Sequence, residues 1–310
     1  MLRHRVPSSV VMVAWLLGVL WLDAWAAGRG WLPGGVLTLG VLAPFAWGAC
    51  REVSVLFAAV GRTVGAAALG GGAAAGLLVA LAGAATLAAP AEGGSGGGSG
   101  GASGGAVEGL LLTLGLSAVG LGWAVLLTCS KTRSAERAIS LVSGFAVGFL
   151  FIGLLAGSWL WVRALTPAAF MVLSMLVIKS CDVGAYFTGR ALGRRKLILW
   201  LSPGKTQEGL AGGMLLAACL AVLLWGWTGA GGAGSSLPAA PLWAVGVAGA
   251  LLGFVGQVGD LFASALKRAA GVKDFARSIP GFGGVMDVAD SVLLAGPVVY
   301  AMIRVARWVW

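Results

Sequence analysis

Between Gly259 and Ser291 the chain reads GDLFASALKRAAGVKDFARSIPGFGGVMDVADS. Four aspartates (Asp260, Asp274, Asp287, Asp290) and four bases (Lys267, Arg268, Lys273, Arg277) stand there between segments that are otherwise apolar. A charge at the centre of a bilayer costs roughly 2.5–3.5 kcal/mol on insertion scales. Charges massed at the ends of apolar spans therefore mark a site at the water–lipid boundary. Carboxylates mixed with cations suit a metal ion and phosphates held together. A solvated charged loop is the plain alternative.

A second dense stretch, CDVGAYFTGRALGRRKLILWLSPGKTQEGLAGG, runs from Cys181 to Gly213. Asp182 follows Lys179 at i+3, neighbours on one helix face, so the two are expected to form an ion pair near the cytoplasmic end of a span. Arg190, Arg194, Arg195 and Lys196 make an electropositive run at the membrane surface. Pro203 and Gly204 predict a turn, and Gly204 leaves backbone amides open to an anion. Lys205 then supplies a point charge and Thr206 a hydroxyl, while Glu208 suits the positive end of a helix dipole. A capped helix after a turn accounts for the same residues without any ligand. The loop is not of the GxxxxGK[ST] kind. Bases neutralise phosphate charge, and carboxylates hold Mg²⁺, which keeps some waters and bridges phosphate oxygens. Such a site handles a nucleoside triphosphate or pyrophosphate and can meet a lipid headgroup.

The elements that must carry these groups are membrane helices. Of the 310 residues 59% are hydrophobic and 10% charged, with a mean hydropathy of +0.95. Soluble domains carry about 25% charged residues, so the chain reads as an all-α, polytopic integral membrane protein. A span needs about 20 apolar residues, and about nine such stretches are predicted, near 8–27, 31–49, 64–89, 108–129, 138–160, 167–188, 209–228, 241–262 and 289–306. The first is too long and too poor a cleavage site for a signal peptide and is read as retained. With the N-terminus cytoplasmic, 16 of the 21 Lys and Arg residues fall on the cytoplasmic side, as the positive-inside rule favours. Both charged clusters then face the cytoplasm at the plasma (bacterial inner) membrane. The net charge of +10 is explained by basic loops against an anionic leaflet, without nucleic acid. Residues 91–107 form a Gly/Ser-rich non-cytoplasmic linker between a three-span region, 1–90, and a six-span membrane domain, 108–310. Asp23, Arg51, Glu52 and Arg62 in the first region are read as anchoring or structural. Cys50, Cys129, Cys181 and Cys219 lack metal-ligand spacing, and His4 is the one histidine, so a His-ligated zinc site within the chain is excluded.

The two charged stretches resemble the signatures of the phosphatidate cytidylyltransferases, the CDP-diacylglycerol synthases. Ser264, Lys267, Arg268, Lys273, Asp274, Pro280, Gly281, Gly283, Gly284, Asp287 and Asp290 follow that family's C-terminal pattern. Asp182, Gly184, Ala185, Tyr186, Gly189, Arg190, Gly193, Lys196, Ser202, Pro203, Lys205, Thr206, Glu208 and Gly209 follow its upstream one. Phe282 and Val288 stand where the family has His and Arg, and Gln207 where it has an aromatic or apolar residue. The resemblance implies transfer of CMP from CTP to phosphatidate, giving CDP-diacylglycerol and pyrophosphate at the bilayer surface. It implies Mg²⁺ or a similar divalent cation on Asp260 and Asp287, supported by Asp290 and Asp182. It further implies catalytic roles for Lys267, Arg268 and Lys273. Ser202, Lys205, Thr206, Glu208, Arg190, Lys196 and Ser264 are then substrate-binding. A homodimer is compatible with the Gly-rich spans and with the resemblance. A CTP-dependent polyprenol or phytol kinase and a catalytically impaired paralogue remain as alternatives. A transporter fits least, because the charges are expected at span ends and no internal repeat is found.

Overall fold

The computed structural model describes residues 17–29, 37–59, 64–88, 119, 135–228, 237, 239–276, 278–279 and 283–310. They belong to two compact units, which meet in sequence between Leu165 and Thr166.

The first unit contains α1 (Leu17–Gly28), α2 (Leu39–Ala59), α3 (Ala66–Ala88), α4 (Ala135–Val147), a π-helical segment (Gly148–Leu154) and α5 (Leu155–Leu165). The last three run on as one apolar stretch, Glu136–Leu165. Small residues let α3 lie directly on it. A Cβ added at Gly76 would stand 2.7 Å from the Phe149 carbonyl oxygen, and one at Gly153 would stand 2.5 Å from that of Ala73. Backbone-to-backbone approach of this kind is how helices associate where lipid offers no hydrophobic drive. Asp23, expected to be structural, is buried and pairs with Arg163 at 2.8 Å. It also accepts from the N–H groups of Leu37 (2.9 Å) and Thr38 (3.3 Å). A buried carboxylate is tolerable only when paired and hydrogen-bonded in this way.

The second unit contains α6 (Ala168–Leu192), the strands β1 (Lys196–Ile198) and β2 (Ser202–Thr206), α7 (Gln207–Thr228), α8 (Leu242–Ala269) and α9 (Val285–Val309). The strands form an antiparallel hairpin with Lys196 opposite Thr206 and Ile198 opposite Ser202. Helix α6 packs on α7 and α8, and α8 on α9. The core where α6 meets α7 is built from Val177, Cys181 and Ala217, with Met214, Leu220 and Leu224 against it.

Seven stretches among the described residues are long and apolar enough to cross a membrane, and the chain is a multi-pass membrane protein. Their ends differ from the sequence expectation. The span expected at 31–49 is observed at Leu39–Ala59 and includes Arg51 and Glu52. Glu52 is buried, which averaged hydropathy cannot register. Helix α8 has 28 residues, about 42 Å at 1.5 Å per residue, against about 30 Å of hydrocarbon. A helix of that length spans the apolar layer tilted or with an end beyond it. The stretch expected at 138–160 packs with the N-terminal helices, so the compact units part at Leu165 rather than at the Gly/Ser linker. That linker lies outside the described residues, as does the span expected at 108–129 apart from Val119. The first expected span, 8–27, is described only from Leu17.

A cavity of about 660 Å³ lies among the N-terminal halves of α6 and α8 and the C-terminal halves of α7 and α9, lined by residues such as Phe170, Trp225, Leu252, Val299 and Trp310. No carboxylate or cation lines it, so it suits hydrocarbon. The charged groups lie towards the other ends of these helices.

Candidate active site

Glycines on α8 determine which polar groups meet. A Cβ at Gly259 would stand 2.5 Å from the Asp290 carbonyl oxygen, and one at Gly256 would stand 2.8 Å from Ile178 Cγ2. Helices α6 and α9 thus both lie against the same turns of α8. Lys179, Gln257, Asp260 and Asp290 are brought together as a consequence.

The resulting network is continuous. Lys205 Nζ lies 2.6 Å from Asp260 Oδ2 and donates to Gln257 Oε1 at 2.7 Å. Gln257 Nε2 donates to Asp182 Oδ1 at 2.6 Å. Lys179 Nζ lies 3.7 Å from Asp182 and 3.8 Å from Asp290, and donates to Ser291 Oγ. The carboxyl groups of Asp260 and Asp290 lie within electrostatic reach of each other. Gln257 and Asp290 are only 4% and 7% exposed, whereas the Lys179 and Asp182 side chains are more than a third exposed. The network is anchored on its protein side and open on the other. Its members differ in position along their helices: Lys179 is thirteen residues from the end of α6, whereas Asp290 is five residues after the start of α9 and Lys205 stands on the hairpin. Charges grouped on apolar helices are expensive and point to function.

Asp287 lies in an adjoining arrangement. Its Oδ1 pairs with Lys267 Nζ at 2.7 Å, and its Oδ2 accepts from the N–H groups of Phe275 (3.0 Å) and Gly284 (2.9 Å). It closes the first turn of α9 as a capping carboxylate and ties that turn to the end of α8. Gly283 allows this, with φ +97° and a position where a Cβ would meet Asp287 Oδ2 at 2.9 Å. Lys267 lies within electrostatic reach of Asp260, so the two arrangements are neighbours.

Asp290 is thus the carboxylate beside Asp260, while Asp287, expected with Asp260 as a metal ligand, pairs with Lys267 in the adjoining arrangement. No three Asp, Glu, Cys or His side chains converge as a metal-holding group among the described residues, so the four aspartates do not form one ligand set. Mg²⁺ commonly takes only one or two carboxylates, with substrate phosphates and water completing its shell. Asp260 and Asp290 offer oxygen donors of the kind that ion takes, and each is paired here with a lysine, Lys205 and Lys179. Asp287 carries three donors already.

Two expected substrate-binding residues have structural partners. Thr206 is buried, and its hydroxyl accepts from the Gly209 N–H at 3.1 Å, capping α7. Glu208 accepts from the N–H groups of Arg194 and Arg195 at 3.1–3.2 Å. Ser202 closes the hairpin opposite Ile198. Ser264 is half-buried on α8, and Arg190, Lys196, Arg268 and Lys273 are exposed. Arg190 donates to the Tyr186 hydroxyl at 3.2 Å. Arg277, Pro280, Gly281 and Phe282 lie outside the described residues. Sequence reasoning missed Gln257 and Ser291. A lone glutamine in an apolar run, three residues before Asp260, was the available signal.

The family model described as the cytidylyltransferase family matches residues 104–306. The chain belongs to the cytidylyltransferase family. Its match reaches upstream of the motif-bearing stretches and takes in α4 to α9. The chain is 36% identical over 197 residues to the phosphatidate cytidylyltransferase of Brucella suis biovar 1, covering 62% of this chain and 66% of that protein. It is 34% identical over 185 residues to the protein of that name from Bacillus subtilis, covering 58% of this chain and 66% of the relative. With the Pseudomonas aeruginosa phosphatidate cytidylyltransferase it shares 43% over 138 residues, 44% of this chain and 48% of the relative. The chain thus spans just under two thirds of the length of such curated relatives, or less. In this cytidylyltransferase-family chain three of the signature residues, Asp182, Lys205 and Asp290, lie in the central network with Asp260.

Proposed function

We propose that the chain transfers the cytidylyl group of CTP to phosphatidate, giving CDP-diacylglycerol and pyrophosphate on the cytoplasmic face of the bacterial plasma membrane. The observation that carries this reading is the open network of Lys205, Asp260, Asp290 and Lys179, built on apolar helices of a chain similar in sequence to named phosphatidate cytidylyltransferases. A phosphate oxygen of phosphatidate attacks the α-phosphorus of CTP, the new P–O bond forms, and the bond to the β-phosphate oxygen breaks as pyrophosphate leaves. Phosphatidate is already ionised near neutral pH, so no dedicated general base is needed. Positioning and charge neutralisation supply the rate. Lys205 and Lys179 bring two cations to the reacting phosphates, held by Asp260, Asp182 and Asp290 until substrate arrives. Lys267, Arg268 and Lys273 provide further positive charge at the end of α8 and just beyond it, where pyrophosphate departs to water.

Asp260 and Asp290 are the residues we assign to Mg²⁺, with Asp182 beside them. Bound there, the ion would neutralise charge on the triphosphate. The network side chains named above all come from one chain, and a homodimer through the Gly-rich spans is compatible with them. The purified full chain in phosphatidate liposomes tests the reading. CTP labelled on its α-phosphate is expected to give labelled lipid. Label passing only from the γ-phosphate to a polyprenol assigns a kinase instead. Absence of both transfers overturns the enzyme reading in favour of an impaired paralogue.

A further inference from the structure

The hairpin between α6 and α7 presents a surface that the reaction does not require. At its turn Leu199 and Trp200 are 65% and 75% exposed, while Leu201 beside them is buried. From Val183 to Gln207 the chain carries five bases, Arg190, Arg194, Arg195, Lys196 and Lys205, and no acid. Lys205 is drawn inward to Asp260; the other four are exposed. The base of the hairpin is fixed, because Glu208 holds the N–H groups of Arg194 and Arg195, and the Gln207 N–H donates to the Arg195 carbonyl at 2.9 Å. Helix α7, which begins at Gln207, is strongly apolar with little of its surface buried in protein. Lipid therefore starts within about a turn of the hairpin, which stands at the bilayer boundary.

An outward tryptophan and leucine beside exposed arginines match the chemistry of an anionic membrane surface. Tryptophan favours the headgroup level, and anionic lipid attracts bases close to it. A nucleotide would use the bases but leave the apolar tip without purpose. We propose that the β1–β2 hairpin docks on the anionic bilayer surface, with Leu199 and Trp200 in the headgroup–acyl boundary and Arg194 and Arg195 against anionic headgroups. Because β2 carries Lys205, docking also sets the position from which that lysine reaches Asp260. The proposal goes beyond the cytidylyl-transfer reading and does not depend on it.

The test uses the full chain, one copy per nanodisc, with an environment-sensitive fluorophore on Leu199→Cys after the four native cysteines are replaced. Discs are made of phosphatidylcholine alone or enriched in phosphatidylglycerol. Expected are quenching by lipids brominated near the headgroup and protection from aqueous iodide in the anionic discs, both weakened by salt. Arg194→Gln with Arg195→Gln should lower the docked-to-free ratio about thirtyfold, at roughly one kcal/mol per base. Trp200→Ser should weaken docking in both lipids. Equal iodide access in both lipids, or docking unaffected by the double arginine change, overturns the proposal. So does protection that appears only with two copies per disc, which assigns the tip to a second chain. Protection produced by CTP in neutral discs assigns the bases to nucleotide and also overturns it.

Discussion

Gln257 has a fixed donor and a fixed acceptor, and both are used. Its carbonyl oxygen takes a hydrogen from Lys205 and its amide gives one to Asp182, so it joins the hairpin lysine to α6 through α8. Hydrogen bonds to charged groups contribute about 1.5–3 kcal/mol. Gln257→Leu is therefore expected to lower initial rates of cytidylyl transfer in liposomes on the order of 10–100-fold while the protein remains inserted. An unchanged rate would remove Gln257 from the site. Asp287 behaves differently, because its carboxylate is shared between Lys267 and two backbone N–H groups. Breaking a buried pair on one side costs about 3–5 kcal/mol. Asp287→Asn should thus lower thermal stability in detergent as well as activity. Asp260→Asn, on a partly open side chain, should abolish transfer with a smaller stability loss. If the two variants lose activity with identical melting temperatures, the capping role of Asp287 is wrong.

The elements reach the site through close backbone contacts and caps. At Gly259 a methyl group would meet the Asp290 carbonyl oxygen at 2.5 Å, which backbone cannot easily yield. Gly259→Ala should push α8 from α9 and separate Asp260 from Asp290. Overpacking of this kind costs typically 1–3 kcal/mol, and the loss of transfer should exceed what that destabilisation alone explains. An active Gly259→Ala protein would show that the carboxylates need not stay close. Thr206 supplies a milder case. Thr206→Val keeps its volume but removes the acceptor for the Gly209 N–H. A lost cap is worth about 0.5–2 kcal/mol, so a lower melting temperature is expected, with transfer reduced through the position of the adjacent Lys205. Restoration of both by Ser at the same position would confirm that the hydroxyl, not the methyl, matters.

At the scale of the molecule, orientation decides which substrates arrive from where. Arg195 precedes the hairpin, Lys273 follows α8, and Ala239 precedes α8 at its other end. In a background lacking native cysteines, Arg195→Cys and Lys273→Cys should react with impermeant thiol reagents only from the cytoplasmic side, and Ala239→Cys only from outside. Labelling of Lys273→Cys from outside intact cells would invert the topology and remove soluble CTP from its proposed site. The charge bias that motivates this orientation resides in the same loops as the basic hairpin, so the two readings support each other physically.

How much was legible follows from range in sequence. The apolar runs and the acids and bases at odds with them can be read one segment at a time, because lipid penalises each misplaced charge wherever it lies. That is why Asp182, Lys205, Asp260 and Asp290 stood out, and why Lys179 could be paired with Asp182 across one helical turn. Motif spacing likewise carried the family. Which acids meet which bases was not legible, since it depends on how α8 and α9 are registered through Gly259, a packing relation with no local signature. For the same reason the capping partners of Thr206 and Glu208, left open beside a ligand role in the sequence, became definite only with the hairpin and the start of α7. Span ends shifted because Glu52 is buried within its helix, where tertiary contacts replace the water that its charge would otherwise seek. Local chemistry thus determines membrane insertion and the identity of the reactive groups, while close helix packing, which joins residues far apart in sequence, determines which of those groups meet.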